Sequence, residues 1–177
     1  MLKTIVYDAL YVFINGFVNR IPFWSIRKLL YRMCGLKIGR KSRINMGCIL
    51  FEPWRIRIGK NTIINEYSVL DGRGFLQIGD NCSISLRSII YSSSHNPHSS
   101  SFEYFERKTV IGNGVWIGAG AIVLPGSILN NLCILGAGSV ATGKEYKEKC
   151  IYAGVPAKEI KERKVAEVSI NYRAFFK

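Results

Sequence analysis

The sequence predicts an all-β solenoid, a parallel β-helix of six-residue units with short helices before and after it. Two observations predict it. An aliphatic residue recurs at a step of six: Ile38, Ile44, Leu50; Ile58, Ile64, Leu70; Ile78, Ile84, Ile90; then Ile111, Ile117, Val123, Leu129, Leu135 and Ala141. The fifth position of each unit is small or short-branched everywhere except at Trp54 and Glu145. Neither a 3.6 nor a 2.0 period produces this pattern. A strand-plus-turn unit does: the aliphatic side chain fills the interior, the small one fits beside it, and glycine, frequent as Ile-Gly, permits the turn. Three units close one triangular coil, and coils stack at about 4.8 Å like parallel strands.

Composition agrees with a folded chain. Of 177 residues, 48% are hydrophobic and 21% charged, enough to bury a core without a disordered tract. The net charge of +13 points to an anionic partner. Basic residues frame the middle of the chain, however, and 111–143 contains no Lys, Arg, Asp or Glu. That is not the basic stripe with interleaved aromatics of a nucleic-acid binder, so no nucleic acid is expected. The five cysteines are odd in number and form no Cys-x-x-Cys, which argues against a disulfide framework or zinc ribbon and for a reducing compartment. Cytoplasmic residence follows, with peripheral contact at the inner membrane face as an extension.

The segments divide as 1–37, 38–156 and 157–177. Apolar positions 2, 5, 6, 9, 10, 13, 14 and 17 form a helical stripe over 2–19, ended by Ile21-Pro22. Ser25 is placed to cap a second helix over about 26–33. Tyr11, Phe13, Phe17, Phe23 and Trp24 beside Arg20, Arg27, Lys28 and Arg32 suit a membrane interface. The same helices suit a cap on the open end of the solenoid, and both roles hold if only one face is covered. Two extra residues enter after each of the first two coils (Ile56-Arg57 and Leu76-Gln77), and a longer loop, 96–110, interrupts the prism. After Ala153-Gly154-Val155-Pro156-Ala157-Lys158 a short charged helix is expected, then an aromatic tail with Tyr172, Phe175 and Phe176.

Insertions in solenoids mark functional faces. The only two histidines, His95 and His98, stand at the mouth of the one long loop, and a histidine can take a proton from a hydroxyl. A catalytic zinc commonly takes three histidines; with two, and only Glu103 and Glu106 near the loop, no metal is expected.

Leu70-Asp71-Gly72-Arg73-Gly74, Ser94-His95-Asn96-Pro97, Val115-Trp116-Ile117-Gly118-Ala119-Gly120, Leu135-Gly136-Ala137-Gly138 and Ala153–Lys158 together resemble the hexapeptide-repeat acetyltransferases, closest to sugar O-acetyltransferases of bacterial capsule, lipopolysaccharide and exopolysaccharide assembly. The resemblance covers about residues 25–165. It implies a left-handed β-helix and a homotrimer with sites between neighbouring prisms. It also implies acetyl-CoA as donor and a sugar or sugar conjugate as acceptor. By resemblance His95 is the general base, and Asn65 and Asp71 contact the acceptor. Ala119 offers its N–H to the thioester oxygen, and Trp116, Ala137 and Thr142 line the acyl-CoA channel. Lys144, Lys158 and Lys161 meet the cofactor's phosphates.

Three departures qualify the carry-over. Asn96 stands where the family often has aspartate, Gly143 splits the usual Thr-Lys pair, and Lys147-Glu148-Lys149 replaces a proline pair. Amino-sugar N-acetylation, serine acetylation and a non-catalytic scaffold stay open beside O-acetylation.

Overall fold

The computed structural model describes residues 2–170, so the tail at Tyr172, Phe175 and Phe176 lies outside the described residues. Three parallel sheets wrap one interior, built by strands of two to four residues that visit the first, second and third faces in turn. The first face stacks six strands, from Lys37–Ile38 to Glu145–Tyr146. The second stacks Arg43–Ile44 through Cys150–Ala153, and the third stacks Ile49–Phe51 through Val140–Ala141. Register follows the repeat: Ile38 pairs with Ile58 and Ile58 with Ile78, Ile44 with Ile64, and Leu50 with Leu70. The aliphatic residues that start the units, Ala141 included, are all buried. At the third corner the extra pairs put Ile56 and Leu76 inside as well.

The structure gives different reasons for the two kinds of glycine. The glycine of Ile-Gly is required by close approach rather than by its turn conformation. A Cβ on Gly39 would stand 2.5 Å from the Gly59 carbonyl oxygen, inside the backbone of the next coil. The left-handed conformation belongs two residues later, where Lys41, Asn61, Asn81, Gly114, Leu132 and Lys149 all have φ between +51° and +64°. The small fifth position also has a bonding role. Ser42 Oγ and Thr62 Oγ1 donate to the carbonyls of Gly59 and Gly79 in the next coil, at 2.6 and 2.7 Å. Cys48, Cys82 and Cys133 occupy the same position, wholly buried, and burial pushes their thiols up to about 12, 11 and 12. They are packing residues, not nucleophiles.

The N-terminal segment caps the first coil. Helix α1 (Leu2–Val12) continues through a π turn (Phe13–Phe17) and a 3₁₀ turn (Val18–Arg20), and α2 spans Trp24–Met33. Phe23 is the N-cap residue and no side chain caps α2, so Ser25 lies in the first turn and does not have the capping role expected of it. The bottom edge of a β-solenoid leaves backbone groups unpaired. Here polar side chains of the helices meet them. Asn15 bonds both the N–H and the carbonyl of Leu50, at 2.9 and 3.0 Å. Arg27, only 2% exposed, donates to the carbonyls of Ile44 and Ile21, and Arg32 to that of Ile38.

The expected C-terminal helix is a strand instead. Lys158–Glu162 runs antiparallel to Cys150–Ala153, with Ala153 opposite Lys158 and Ile151 opposite Lys161. The last strand of the second face offers an unpaired edge, and closing it outweighs the modest helix preference of a Lys/Glu-rich segment.

Candidate active site

The loop is a hairpin that begins earlier than its sequence suggests. Ser93–His95 pairs antiparallel with Tyr104–Glu106, with His95 directly opposite Tyr104. His95 is exposed, and its Nδ1 lies 2.6 Å from the Phe102 carbonyl oxygen. A carbonyl can only accept, so Nδ1 is the donor in this contact, and in the neutral ring the lone pair is on Nε2. A backbone carbonyl thus orients this ring, with Asn96 in the position after the histidine. Asn96 shapes the turn: its Oδ1 accepts the His98 N–H at 3.0 Å, and its own N–H donates to Glu103. His98 sits in that tip, two residues beyond Asn96.

The hairpin is held at its base by a buried carboxylate. Asp71, expected to contact the acceptor, is 0% exposed. Its Oδ1 accepts the N–H and Nε of Arg73, and its Oδ2 accepts the Ser92 N–H and the Ser93 hydroxyl, at 2.8 to 3.1 Å. Burial alone would raise this carboxyl's pKa, but Arg73 and the hydrogen-bond donors outweigh burial and hold it below its ordinary value. With its oxygens engaged by Arg73, Ser92 and Ser93, Asp71 positions the hairpin that carries His95. Farther out, the Tyr104 ring meets the His95 ring edge-on at 5.8 Å, and its hydroxyl donates to Glu106. Glu106 pairs with Arg55 of the first coil at 3.0 Å, which ties the hairpin back toward the capped end. Sequence reasoning missed Tyr104 and this tie. The alternation in Tyr104-Phe105-Glu106 was the available signal for a strand there.

The remaining expected residues fall at other corners. Asn65 is half-buried at the second corner, its amide donating to Ile84 O and accepting from Asn45. Higher on that corner the side chains shrink to Ala119-Gly120 and Ala137-Gly138, all exposed, leaving a smooth edge. Gly118 and Gly120 donate to the Leu135 and Leu86 carbonyls on either side of Ala119. Trp116 lies on the second face, half exposed, its indole N–H on Ser85 Oγ at 3.0 Å. Lys158 and Lys161 are exposed on the strand that closes that face. Thr142 and Lys144, by contrast, lie at the third corner with the hairpin, and the Lys144 ammonium rests 5.3 Å from the centre of the Tyr146 ring. The third face lies between the two groups, so one chain places His95 at the same corner as Thr142 and Lys144, two coils apart, and at a different corner from Asn65, Ala119 and Ala137. Among the described residues no three His, Cys, Asp or Glu side chains gather as a metal site.

A family pattern for bacterial transferase hexapeptides (six repeats) matches residues 108–143, which contain the uncharged block 111–143. A dTDP-4-amino-4,6-dideoxy-D-glucose acyltransferase of Escherichia coli is 36% identical over 154 residues, covering 78% of each chain. The chain belongs to the hexapeptide-repeat acyltransferases. A second relative of this acyltransferase, WbbJ of Escherichia coli K12, is named for lipopolysaccharide biosynthesis O-acetyl transfer. It is 28% identical, over 83% of this chain and 88% of its own. The fold matches the crystal structure of the hexapeptide-repeat acetyltransferase VCA0836 from Vibrio cholerae with a TM-score of 0.84 at 24% identity, over 92% of this chain and 94% of that one.

Proposed function

We propose that this acyltransferase moves an acetyl group from acetyl-CoA directly to a hydroxyl of a sugar or sugar conjugate used in building a bacterial surface polysaccharide. The observation that carries the proposal is the His95 ring, exposed on a hairpin with Nδ1 fixed on the Phe102 carbonyl and Nε2 left to act as base. In the reaction Nε2 takes the hydroxyl proton as the oxygen attacks the thioester carbon. The Ala119 N–H stabilises the developing oxyanion. The carbon–sulfur bond then breaks, and the departing thiolate recovers the proton from the imidazolium. No covalent enzyme intermediate is needed, which agrees with the buried, hard-to-ionise thiols of Cys48, Cys82 and Cys133.

Because His95 and the Ala119–Ala137 edge lie at different corners, the complete site forms where the third corner of one prism meets the second corner of a neighbour. A homotrimer supplies three such junctions by closed symmetry. In that arrangement Asn65 would reach the acceptor from the neighbour, with Trp116 and Ala137 along the acyl chain and Thr142 across from them. A second reading is favoured by the 36%-identical amino-sugar acyltransferase: an amine of a nucleotide-linked sugar as acceptor.

The test is coenzyme A release from acetyl-CoA against sugar nucleotides and lipid-linked sugars, with mild alkali to separate an ester product from an amide. Absence of transfer to every sugar, with transfer to serine instead, would overturn the proposal. In the same assay Lys158→Ala with Lys161→Ala is expected to raise the acetyl-CoA KM by about tenfold with kcat little changed, and to weaken its salt dependence. Equal KM values would move the phosphate contacts to Lys144.

A further inference from the structure

The cap is apolar on its outer face as well as on its inner one, where Ile14 and Val18 join the core. Solenoid ends normally carry a polar outer face, yet α2 turns Arg27 and Tyr31 inward and leaves Phe23, Ile26, Leu29 and Met33 at 60, 47, 60 and 74% exposure. These four recur at helical spacing, so they share one face. The α1 segment does the same: Val12, Phe13 and Phe17 are exposed and, with Ala9 and Gly16, line a shallow apolar hollow rimmed by Asp8. The inward polar residues are explained by the unpaired backbone of the first coil. The outward apolar residues are not.

Charge narrows what can cover them. Residues 9–51 contain no Asp or Glu, while Arg20, Arg32, Lys37, Arg40 and Lys41 are all exposed. An apolar face bordered mainly by basic side chains, with Asp8 as a carboxylate on the rim of its hollow, matches the acyl boundary and anionic headgroups of a bilayer. A second copy placed end-on would set these charges against their like. No helix of the described residues is long and apolar enough to cross a membrane, so contact would be along the surface.

We propose that the outer face of the N-terminal helical cap docks on an anionic lipid surface. The His95 hairpin leaves the third coil, two coil steps and one helix layer above the docked face, so docking holds the catalytic edge roughly 20 Å from the headgroups, within reach of a sugar chain carried on a lipid. The docking itself does not depend on the acyl-transfer reading.

The experiment is flotation of the full chain with vesicles of phosphatidylcholine alone and with about 30% phosphatidylglycerol, at about 0.05 and about 0.5 M salt. Binding is expected with phosphatidylglycerol at low salt and release at high salt. Leu29→Glu with Met33→Glu alters only exposed side chains. It should weaken binding by at least about tenfold while circular dichroism and melting stay unchanged. Arg40→Glu with Lys41→Glu should weaken it and flatten the salt response. No flotation at low salt overturns the proposal, as does equal flotation of the Leu29/Met33 variant. Sedimentation showing an end-to-end assembly that this variant dissolves would also overturn it, by assigning the face to a second copy.

Discussion

Alanine at position 95 is expected to lower turnover by roughly two to four orders of magnitude, the range for loss of a positioned general base. The melting temperature should barely move. The ring is exposed and, among the described residues, its hydrogen bond is to the Phe102 carbonyl, so its removal leaves no described buried side chain without a partner. The acetyl-CoA KM should hold as well, since the base acts in the transition state and not in donor binding. His98→Ala, two residues past Asn96 in the hairpin tip, should keep most of the activity. Equal and mild losses from both would show that the histidines shape the loop and do no proton transfer.

Asp71→Ala should produce the largest loss of stability among single changes near the site. It removes a buried carboxylate and leaves the Arg73 guanidinium, the Ser92 N–H and the Ser93 hydroxyl without their acceptor, at a cost of about 3–5 kcal/mol. For a chain of this length that corresponds to a fall in melting temperature of roughly 10 °C. Turnover should fall too, through displacement of the hairpin. Asp71→Asn tests the charge separately. The folded-state pKa lies below the ordinary 3.8, so the unfolded chain binds the proton first as pH falls. The carboxylate's contribution is therefore complete above about pH 4 and is lost as pH drops through the lower folded value. The stability gap between the native protein and Asp71→Asn should be constant near neutrality and close in that acid window. A gap independent of pH would contradict a charged Asp71.

The prism was legible in the sequence because its cause is local. A unit of six residues with one large and one small interior position leaves a periodic trace, and the positions from Ile38 to Ala141 follow it without help from distant partners. The hairpin was legible only as an interruption. The antiparallel pairing of Ser93–His95 with Tyr104–Glu106 depends on a register across the loop that no short-range pattern encodes. The surroundings of Asp71 were hidden for a related reason: Leu70-Asp71-Gly72 shows a carboxylate at a corner, but not that Arg73, and Ser92 and Ser93 from the next coil, close over it. The strand at Lys158–Glu162 was hidden because its local preference is helical and its stabilising partner is the edge of Cys150–Ala153. In the cap, the helical stripe was visible, but not that the solenoid's bare backbone edge would draw Arg27 inward and turn the apolar residues out.

The central claim is that transfer occurs where the His95 corner of one chain meets the Ala119 corner of another. Co-expression of two differently tagged chains tests it most directly, one carrying His95→Ala and the other Ala119→Trp, which blocks the smooth edge of the second corner. Each variant alone should be inactive. In randomly mixed trimers about one quarter of the junctions pair an intact His95 with an intact Ala119 edge, and turnover should recover to roughly that fraction of the native value. Purified mixed assemblies with no activity above either parent would place the whole site within a single chain and contradict the account.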